Sequence, residues 1–373
     1  MRLMLTGDLL VDRDDPGSAF ELVAPVLRRA DVLFGNNECV YTTSEVRAPG
    51  AGIRVAVPPG NAKSLRDNGF DVLSLANNHT LDAGHEGLVE TLRTLGDLGL
   101  ATCGAGPDLA AATSPALARH GDETVAFLAY TCVFPPGHQA REGVPGVADL
   151  NVVVFPESDI EVAQSGALPT LRAIADPRSL DRLAAQVRAA RESADHVVIS
   201  IHGGDGTRPA SLYEYERQFA HCAIDAGAAI VAGHHHHLLR GIEHYGGGIV
   251  FYGLAHLVFD VPRFGEEVSS STVDFFAGRN GEYALGPREG YPLLPMHPDA
   301  RMTMVAVCEL TPAGLVRAGF VPCRINPAGQ PDPRGTGEEI VEYVRSLIAQ
   351  AGLPPVRCVV EDVDGLPVVW VQP

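Results

Sequence analysis

Short apolar runs alternate with amphipathic stretches along most of the chain. The apolar runs are almost continuous and rich in β-branched and aliphatic residues, as expected for strands that are covered on both faces. Between them, apolar residues recur every three or four positions over residues 87–98 and 181–190, which is the spacing of helices that cover a sheet. The pattern therefore predicts an α/β fold with buried strands at residues 2–6, 32–34, 72–75, 126–130, 197–201 and 228–232.

The C-terminal third has a different pattern. Residues 262–299 are punctuated by glycine and proline and contain aromatic side chains, namely Phe264, Phe275, Phe276, Tyr283 and Tyr291. A connection of this length is more typical of a lid or binding loop than of a simple linker. The elements predicted beyond it are a strand at 302–310, a helix at 338–350 and a hairpin over 358–371 that turns at Asp364-Gly365. The predicted organisation is a large first domain over 1–261, a lid over 262–299 and an extension over 300–373 that packs on the first domain.

Polar side chains follow five of the predicted strands at the point where each strand ends. They are Asp8, Glu38, the triplet Asn77-Asn78-His79, His202 and the four histidines His234 to His237. The carboxyl ends of strands in an open α/β sheet meet at one edge, where such folds place their sites, and imidazole with carboxylate is a typical metal-ligand set. Each residue alone has a plainer explanation, since aspartate and asparagine are common turn residues and a histidine is often a core residue. Because five strand ends would each need a separate explanation, the pattern favours a metal site.

Composition narrows the class of partner. The formal net charge is −18 and Lys63 is the single lysine, whereas nucleic acids and anionic membranes are bound through clustered Lys and Arg. We therefore expect no nucleic acid and no membrane as partner.

The seven cysteines are widely spaced without a C-x-x-C pair, which indicates reduced thiols. Met1-Arg2 leads directly into the first predicted strand, and no run of about 18 apolar residues occurs, so the expected location is the cytoplasm.

Six short segments, taken in order along the chain, resemble a known family. They are Gly7-Asp8, Gly35-Asn36-Asn37-Glu38, Leu75-Ala76-Asn77-Asn78-His79, His202-Gly203-Gly204, Gly233-His234-His235-His236-His237 and Phe251-Tyr252-Gly253-Leu254. They are similar to the capsule-synthesis CapA family, a branch of the calcineurin-like metallophosphoesterases, from about Met1 to Asp260. The resemblance implies a calcineurin-like catalytic domain, built as a four-layer α/β/β/α sandwich with a metal centre at one end of its sheets, and a small C-terminal α/β extension.

The resemblance also implies roles for individual residues. His79 has the position of the family's acid–base group, and the positions of the family's metal ligands are taken by Asp8, Glu38, Asn78, His202, His235 and His237. This mixture of carboxylate, amide and imidazole ligands is compatible with Ca, Mn or Zn. The cofactor expected is therefore a divalent metal ion, with no organic cofactor.

Departures from the family pattern concern groups that can transfer protons. The family usually has H-W-G-x-E where this chain has His202-Gly203-Gly204-Asp205-Gly206, a proline where it has His236, and L-G-N where it has Leu254-Ala255-His256. Two added imidazoles and a moved carboxylate enlarge the acid–base set around the metal. The catalytic residues expected are His79, Asp82, Asp205 and His256, and the expected substrate contacts are Asn77, His234, His236 and Arg141.

An enlarged acid–base set suits inversion of an amino-acid α-carbon, because a proton leaves one face and another returns to the opposite face. Peptide epimerases of lasso-peptide pathways are relatives of this family. The main expectation is therefore a metal-dependent isomerase, a peptide epimerase that acts on a ribosomal precursor peptide. The alternatives are a metal-dependent phosphoesterase or amide hydrolase, and a protein of poly-γ-glutamate capsule biosynthesis. Capsule-export members are typically membrane-anchored ahead of the first strand, and the expected lack of an anchor here favours the epimerase.

Overall fold

The computed structural model describes residues 1–50, 53–157, 170–262, 264, 268, 273–274, 278, 281–335, 337–363 and 365–373. Phe275, Phe276 and the expected hairpin residue Asp364 lie outside the described residues. Within the described ranges, no helix combines the length and the apolar character needed to cross a lipid bilayer.

Strands and helices alternate as the apolar pattern predicts. The strands are β1 (Arg2–Leu10), β2 (Val32–Asn37), β3 (Val40–Tyr41), β4 (Ala56–Val57), β5 (Val72–Ser74), β6 (Ala101–Cys103), β7 (Ala105–Gly106), β8 (Ala116–His120), β9 (Glu123–Thr131), β10 (Gly146–Val147), β11 (Val152–Glu157), β12 (Thr170–Ala175), β13 (His196–His202), β14 (Ile230–His234), β15 (Ile242–Tyr245), β16 (Gly248–Phe251), β17 (His256–Phe259), β18 (Met302–Thr311), β19 (Gly314–Ile325), β20 (Pro331–Asp332), β21 (Arg357–Val363) and β22 (Leu366–Gln372). The helices are α1 (Ala24–Leu27), α2 (Lys63–Asp67), α3 (Gly84–Asp97), α4 (Leu109–Thr113), α5 (Pro177–Arg191), α6 (Glu214–Asp225) and α7 (Gly337–Gln350).

The first large sheet is built around β1. Its strands follow the order β21-β22-β19-β18-β1-β2-β5-β6. Strands β2, β5 and β6 are parallel to β1, whereas β18 pairs antiparallel with the first half of β1 and β17 pairs parallel with its second half. As a result, Asp8 near the end of β1 lies between Asn36 of β2 and His256 of β17.

The second large sheet has the order β15-β16-β14-β13-β9-β8. Its four central strands are parallel, and the edge strands β8 and β15 are antiparallel to their neighbours. His202 at the end of β13 is level with His234 at the end of β14. The carboxyl ends of β13 and β14 therefore lie side by side, as the polar strand ends predict.

The two sheets pack face to face through a shared apolar core. The rings of Phe34 in β2 and Phe127 in β9 stack across it with their centroids 5.2 Å apart. Leu183 and Val187 of α5, together with residues of α6, extend this core on the outer side of the second sheet, whereas α2 and α3 belong to a separate core on the outer side of the first. These layers confirm the expected α/β/β/α sandwich.

The C-terminal residues, expected as an extension that packs on the first domain, contribute strands to the first sheet. Strands β18, β19, β22 and β21 continue the sheet beyond β1 in antiparallel order, and α7 contacts both β19 and β15. The predicted element types and approximate bounds are correct. The local sequence pattern does not reveal which strand pairs with β18. A strand added to the sheet and a strand of a separate hairpin show the same alternation of apolar and polar residues.

Only part of the expected lid can be placed. Leu294, Met296 and Ala300 are buried in the core of the first sheet, and the backbone N–H of Val261 donates to the carbonyl of Leu293 at 2.9 Å. The end of the expected lid, at Leu294 and Met296, is therefore packed against the domain. A lid function stays a prediction for the preceding residues.

Candidate metal centre

Three strand ends bring acidic and imidazole groups together at the carboxyl edge of the two sheets. Asp8 is in β1, Glu38 directly follows β2, and His202 ends β13. One ligand atom from each of these residues lies within 4.8 Å of the other two, and all three side chains are buried. The backbone holds them there, since Glu38 N–H donates to the carbonyl of Leu9 at 3.0 Å. The first sheet thus supplies both carboxylates and the second sheet supplies the imidazole.

Glu38 is the strongest indication of a bound cation. Both of its carboxylate oxygens are buried, and neither has a hydrogen-bond partner among the described residues. Burial raises the pKa of Glu38 well above its ordinary value, and the neighbouring carboxylates of Asp8 and Asp82 raise it further. A buried carboxylate without a donor or a counter-charge is very costly, so this environment fits a divalent ion as the partner of Glu38.

Three further side chains complete a set of donors, which we call the metal cluster. Asn78 Oδ1 lies 2.8 Å from His202 Nε2, and His235 Nδ1 lies 3.1 Å from the same nitrogen. His237 Nδ1 is 3.0 Å from Asp8 Oδ2, and its Nε2 is 4.0 Å from Glu38 Oε2. Neighbouring ligands of an ion bound at roughly 2.0–2.2 Å are separated by about 3 Å. The metal cluster, which consists of Asp8, Glu38, Asn78, His202, His235 and His237, therefore fits one or two divalent ions.

Two imidazoles of the cluster, those of His202 and His235, are in the uncharged form that binds metals. Burial lowers the pKa of His235 to about 4 and holds the pKa of His202 well below its ordinary value. Burial on its own would raise the pKa of Asp8, but the adjacent His237, His234 and His202 outweigh it and hold that pKa well below the usual range. The cluster thus combines neutral imidazoles with an ionised carboxylate.

The four consecutive histidines alternate between the metal cluster and the protein interior. His235 and His237 have positive φ angles of 95° and 53°, which are unusual for residues with a side chain and typical of functional sites. His234 instead contacts Ser200 Oγ at 3.2 Å and the Thr6 carbonyl at 3.3 Å. His236 Nε2 lies 3.2 Å from a carboxylate oxygen of Glu216. Both imidazoles are buried and contact protein groups, and the expected substrate contacts from His234 and His236 stay predictions without support from these contacts.

A histidine–aspartate pair lies beside the cluster. His79 Nδ1 is 2.8 Å from Asp82 Oδ2, and the same aspartate accepts a hydrogen bond from Val55 N–H. The Asp82 side chain is 2% exposed and that of His79 is 16% exposed. Asp82 therefore fixes the ring orientation of His79, and Nε2 is the ring nitrogen left for a substrate. This geometry suits the acid–base role expected of the pair.

Asn77, which precedes the ligand Asn78, shapes the loop. Its Oδ1 accepts from His79 N–H at 3.1 Å and from Thr80 Oγ1 at 3.0 Å, and its Nδ2 donates to the Asn37 carbonyl at 2.8 Å. These contacts hold the amide within its own loop, and the expected substrate contact from Asn77 stays a prediction. Its function is to present Asn78 and His79.

Asp205 and Arg141 are not brought into the cluster by any contact described. The Asp205 carboxylate accepts hydrogen bonds from Thr207 N–H, Thr207 Oγ1 and Tyr213 Oη. Burial opposes ionisation of Asp205, but these hydrogen bonds lower its pKa. Arg141 is exposed, and its backbone forms a turn with Val144. The catalytic assignment of Asp205 and the substrate contact from Arg141 therefore stay predictions without support from the geometry.

His256 lies at the other end of the cluster. It pairs with Asp8 across β1 and β17, and its ring centroid is 5.7 Å from that of His237. Both ring nitrogens are buried without a partner among the described residues, and burial lowers the pKa of His256 to about 3. It is thus an uncharged imidazole close to the candidate ligands, as the sequence predicts, although its catalytic function is a prediction.

Two residues behind the cluster had no assigned role in the sequence. Asn36 donates to Asp8 Oδ1 at 2.8 Å. Arg240 is fully buried three positions after the tract and donates to the carbonyls of Ser211 and Asp205. The only sequence signal for Asn36 was its position in the motif that ends at Glu38. A buried arginine has no local signature, because its partners are carbonyls of a loop about 30 positions away.

Comparison with known proteins agrees with this geometry. The family described as "Bacterial capsule synthesis protein PGA_cap" matches residues 2–261, which include the whole metal cluster. The chain belongs to this family. The CapA-like resemblance and the calcineurin-like α/β fold that it implied are thus confirmed.

Individual relatives have names related to capsule polymers. The chain is 30% identical to "PGA biosynthesis protein CapA" of Bacillus subtilis (strain 168) over 267 residues, which cover 71% of this chain and 62% of the relative. It is 28% identical to "Capsule biosynthesis protein CapA" of Bacillus anthracis over 256 residues, 67% of this chain and 56% of the relative. A "Probable polyglutamine synthesis accessory protein" of Mycobacterium tuberculosis is 32% identical over 243 residues, 63% of this chain and 57% of the relative. The chain therefore spans about six tenths of the length of these relatives.

Proposed function

We propose that this chain is a metal-dependent hydrolase that cleaves amide bonds in a glutamate-rich peptide chain. The observation that carries the proposal is the pair of buried Glu38 oxygens, which have no donor among the described residues and lie beside Asp8 and His202. A divalent ion fits this environment better than any side chain present. The His79–Asp82 pair follows directly after the ligand Asn78 and supplies a proton-transfer group.

The protein groups have separate tasks in this reaction. Divalent ions bound by the cluster would polarise the substrate carbonyl and lower the pKa of a bound water. His79, oriented through Nδ1 by Asp82, takes a proton from the attacking water at Nε2 and gives it to the departing amine nitrogen as the C–N bond breaks. The second proton of the water leaves when the new carboxyl group ionises. The oxygen of the water remains in the new carboxylate. Asp82 stabilises His79 whenever the ring is charged.

The substrate class comes from the relatives. Their names refer to PGA and to polyglutamine synthesis, and a chain of glutamate-derived residues is the chemistry that these names share. A protein with a formal net charge of −18 repels a polyanion over long distances. We therefore expect the apparent KM for such a chain to fall as salt is raised, because salt screens this repulsion more than it weakens contacts at the buried metal cluster.

Peptide epimerisation is a second candidate, and the position of His256 favours it. Imidazoles lie at both ends of the cluster, with His79 beside Asn78 and His256 beside His237 and Asp8. Inversion of an α-carbon needs acid–base groups on two faces of the substrate. The precursor-peptide substrate expected from the sequence belongs to this candidate.

One experiment separates the candidates. The Mn²⁺-loaded protein is incubated in D₂O with a γ-glutamyl oligomer, with an α-linked glutamyl peptide and, in a separate reaction, with a generic phosphate ester. Mass spectrometry and chiral amino-acid analysis follow the products, with a His79→Asn variant as the control. Hydrolysis releases shorter chains with new amines, whereas epimerisation introduces deuterium at an α-carbon without cleavage. Deuterium incorporation without cleavage, or release of phosphate alone, would reject the amide hydrolase.

A further inference from the structure

Asn36 lies behind the metal cluster and contacts one candidate ligand from each sheet. It is fully buried near the end of β2. Its Nδ2 donates to Asp8 Oδ1 at 2.8 Å and lies 3.3 Å from His202 Nδ1. Its Oδ1 is buried and has no hydrogen-bond partner among the described residues. The amide thus joins β1 and β13 through one end while its other end has no partner.

Free energy is lost when an amide oxygen is buried without a donor. Metal binding by His202 explains why this oxygen is kept without a donor. When His202 binds an ion through Nε2, its proton must be on Nδ1, and histidine ligands almost always donate that second N–H to an oxygen acceptor. Asn36 is the side chain that faces Nδ1 in the described structure. Its free oxygen is the acceptor that a metal-bound His202 requires.

We propose that Asn36 is a positioning residue of the metal centre. Its NH₂ group holds Asp8 Oδ1 when no ion is bound, so that Asp8 Oδ2 faces the cluster. When His202 binds an ion, the amide turns so that Oδ1 replaces Nδ2 opposite His202 and accepts from its Nδ1–H. One side chain thereby sets the orientation of a ligand in each sheet. The inference rests on the metal centre of the proposed function, and it does not depend on which reaction follows.

The adjacent Asn37 provides a matched control. It is also a buried asparagine of β2, but its Oδ1 accepts from Tyr41 Oη at 2.9 Å and its Nδ2 donates to the Cys39 carbonyl at 2.8 Å. These contacts are within the first domain and involve no candidate ligand. Asn37→Ala therefore removes a buried amide of the same kind without touching Asp8 or His202.

The test is calorimetric titration of Mn²⁺ and Zn²⁺ into the full chain after chelator treatment. We expect Asn36→Ala to weaken metal binding about 10- to 100-fold, and Asn37→Ala to leave it within about threefold of the wild type. Thermal unfolding without metal establishes that each variant is folded. If Asn36→Ala does not fold, Asn36→Ser takes its place, and we expect a loss of metal affinity of the same sign.

Two results would overturn the inference. One is metal binding by the folded Asn36 variant within threefold of the wild type, and the other is an equal loss in Asn37→Ala, which would make both amides merely structural. A wild-type chain that binds no metal would reject the metal centre together with Asn36. A wild-type chain that binds metal but cleaves no peptide would reject the hydrolase and leave the comparison of Asn36 with Asn37 decisive.

Discussion

Two buried glutamates on either side of the histidine tract differ in what surrounds them. Glu216 Oε2 accepts from Tyr213 N–H at 2.7 Å, and its Oε1 lies 3.2 Å from His236 Nε2. Glu38 has no donor for either oxygen among the described residues, and its neighbours include the carboxylates of Asp8 and Asp82. Burial raises the pKa of both glutamates. The comparison teaches that burial alone does not identify a site, whereas a buried carboxylate that has other carboxylates as neighbours and no donor among the described residues indicates a bound cation.

The histidine tract separates these two environments. His235 and His237 face the side of Glu38, and His236 faces the side of Glu216. On the Glu216 side, the guanidinium of Arg240 opposes the effect of burial and lowers the pKa of Glu216. The chain thus supplies its own cation to one glutamate, and we infer that a metal ion serves the other.

The largest expected effect is that of Glu38→Gln. Removing the charge that faces the cluster should reduce metal affinity and metal-dependent activity by more than about a thousandfold, beyond the 10- to 100-fold typical of residues behind a ligand. Without metal, the variant should be at least as stable as the wild type, because it lacks the buried carboxyl group whose ionisation is costly. Titration calorimetry and chemical denaturation measure the two effects. A variant that keeps metal affinity within tenfold of the wild type would contradict the assignment.

His79→Asn tests the proton-transfer group separately from the metal. We expect turnover to fall about 10²- to 10⁴-fold, the usual contribution of a general acid or base, with unchanged metal affinity. Asp82→Asn should reduce turnover in the same direction, because it removes the acceptor that orients the ring. Parallel steady-state kinetics and metal titration decide the outcome. A loss of metal equal to the loss of turnover would show that His79 acts on the cluster and not on the substrate.

Arg240→Met tests the other side of the tract. Removing Arg240 takes a donor from the buried carbonyls of Asp205 and Ser211, and a buried acceptor left without its donor typically costs about 1–3 kcal/mol. We expect a loss of this size in the free energy of unfolding, together with loosening of the loop whose carbonyls at Asp205 and Ser211 accept from Arg240. Urea denaturation followed by the fluorescence of the single tryptophan, Trp370, measures it. A change below about 1 kcal/mol would mean that Arg240 is dispensable.

Glu216→Gln should have an effect that depends on pH. Burial raises the pKa of Glu216 from 4.5 to about 7. The folded protein therefore holds this proton more tightly than the unfolded chain, and the associated stability is complete below pH 4.5 and is lost as the pH rises through 7. The free energy of unfolding of the variant should equal that of the wild type near pH 4.5 and exceed it by on the order of 3 kcal/mol at pH 8. Thermal unfolding of both proteins across this range checks the difference, and a constant offset would refute it.

Much of the fold could be predicted from the sequence, because its signals are local. The continuous apolar runs gave β1, β2, β5, β13 and β14, and their polar ends marked Asp8, Glu38 and His202 correctly as neighbours. The continuation of the first sheet by β18 and β19 could not be predicted, since strand pairing depends on contacts far apart in the chain.

The individual roles of the histidines and asparagines were harder to predict. Four identical residues in a row contain no information about which rings face the cluster, and the answer comes from the positive φ angles of His235 and His237. Asn77 and Asn36 were equally ambiguous, because an asparagine can form a turn, bind a metal or hydrogen-bond to a metal ligand. Their partners in the folded chain make the distinction: Asn77 bonds its own loop, whereas Asn36 bonds the ligand Asp8.

Metal-dependent thermal stabilisation is the most direct test of the claim that Glu38 is completed by a metal ion. The unfolding midpoint is measured with chelator and with excess Mn²⁺ for the wild type, Glu38→Gln and Glu216→Gln. Binding to the folded state at a hundredfold excess over Kd contributes about 2.7 kcal/mol. The account predicts that metal raises the midpoint of the wild type and of Glu216→Gln equally and leaves Glu38→Gln unchanged. An unchanged midpoint in the wild type, or an equal rise in Glu38→Gln, would contradict it.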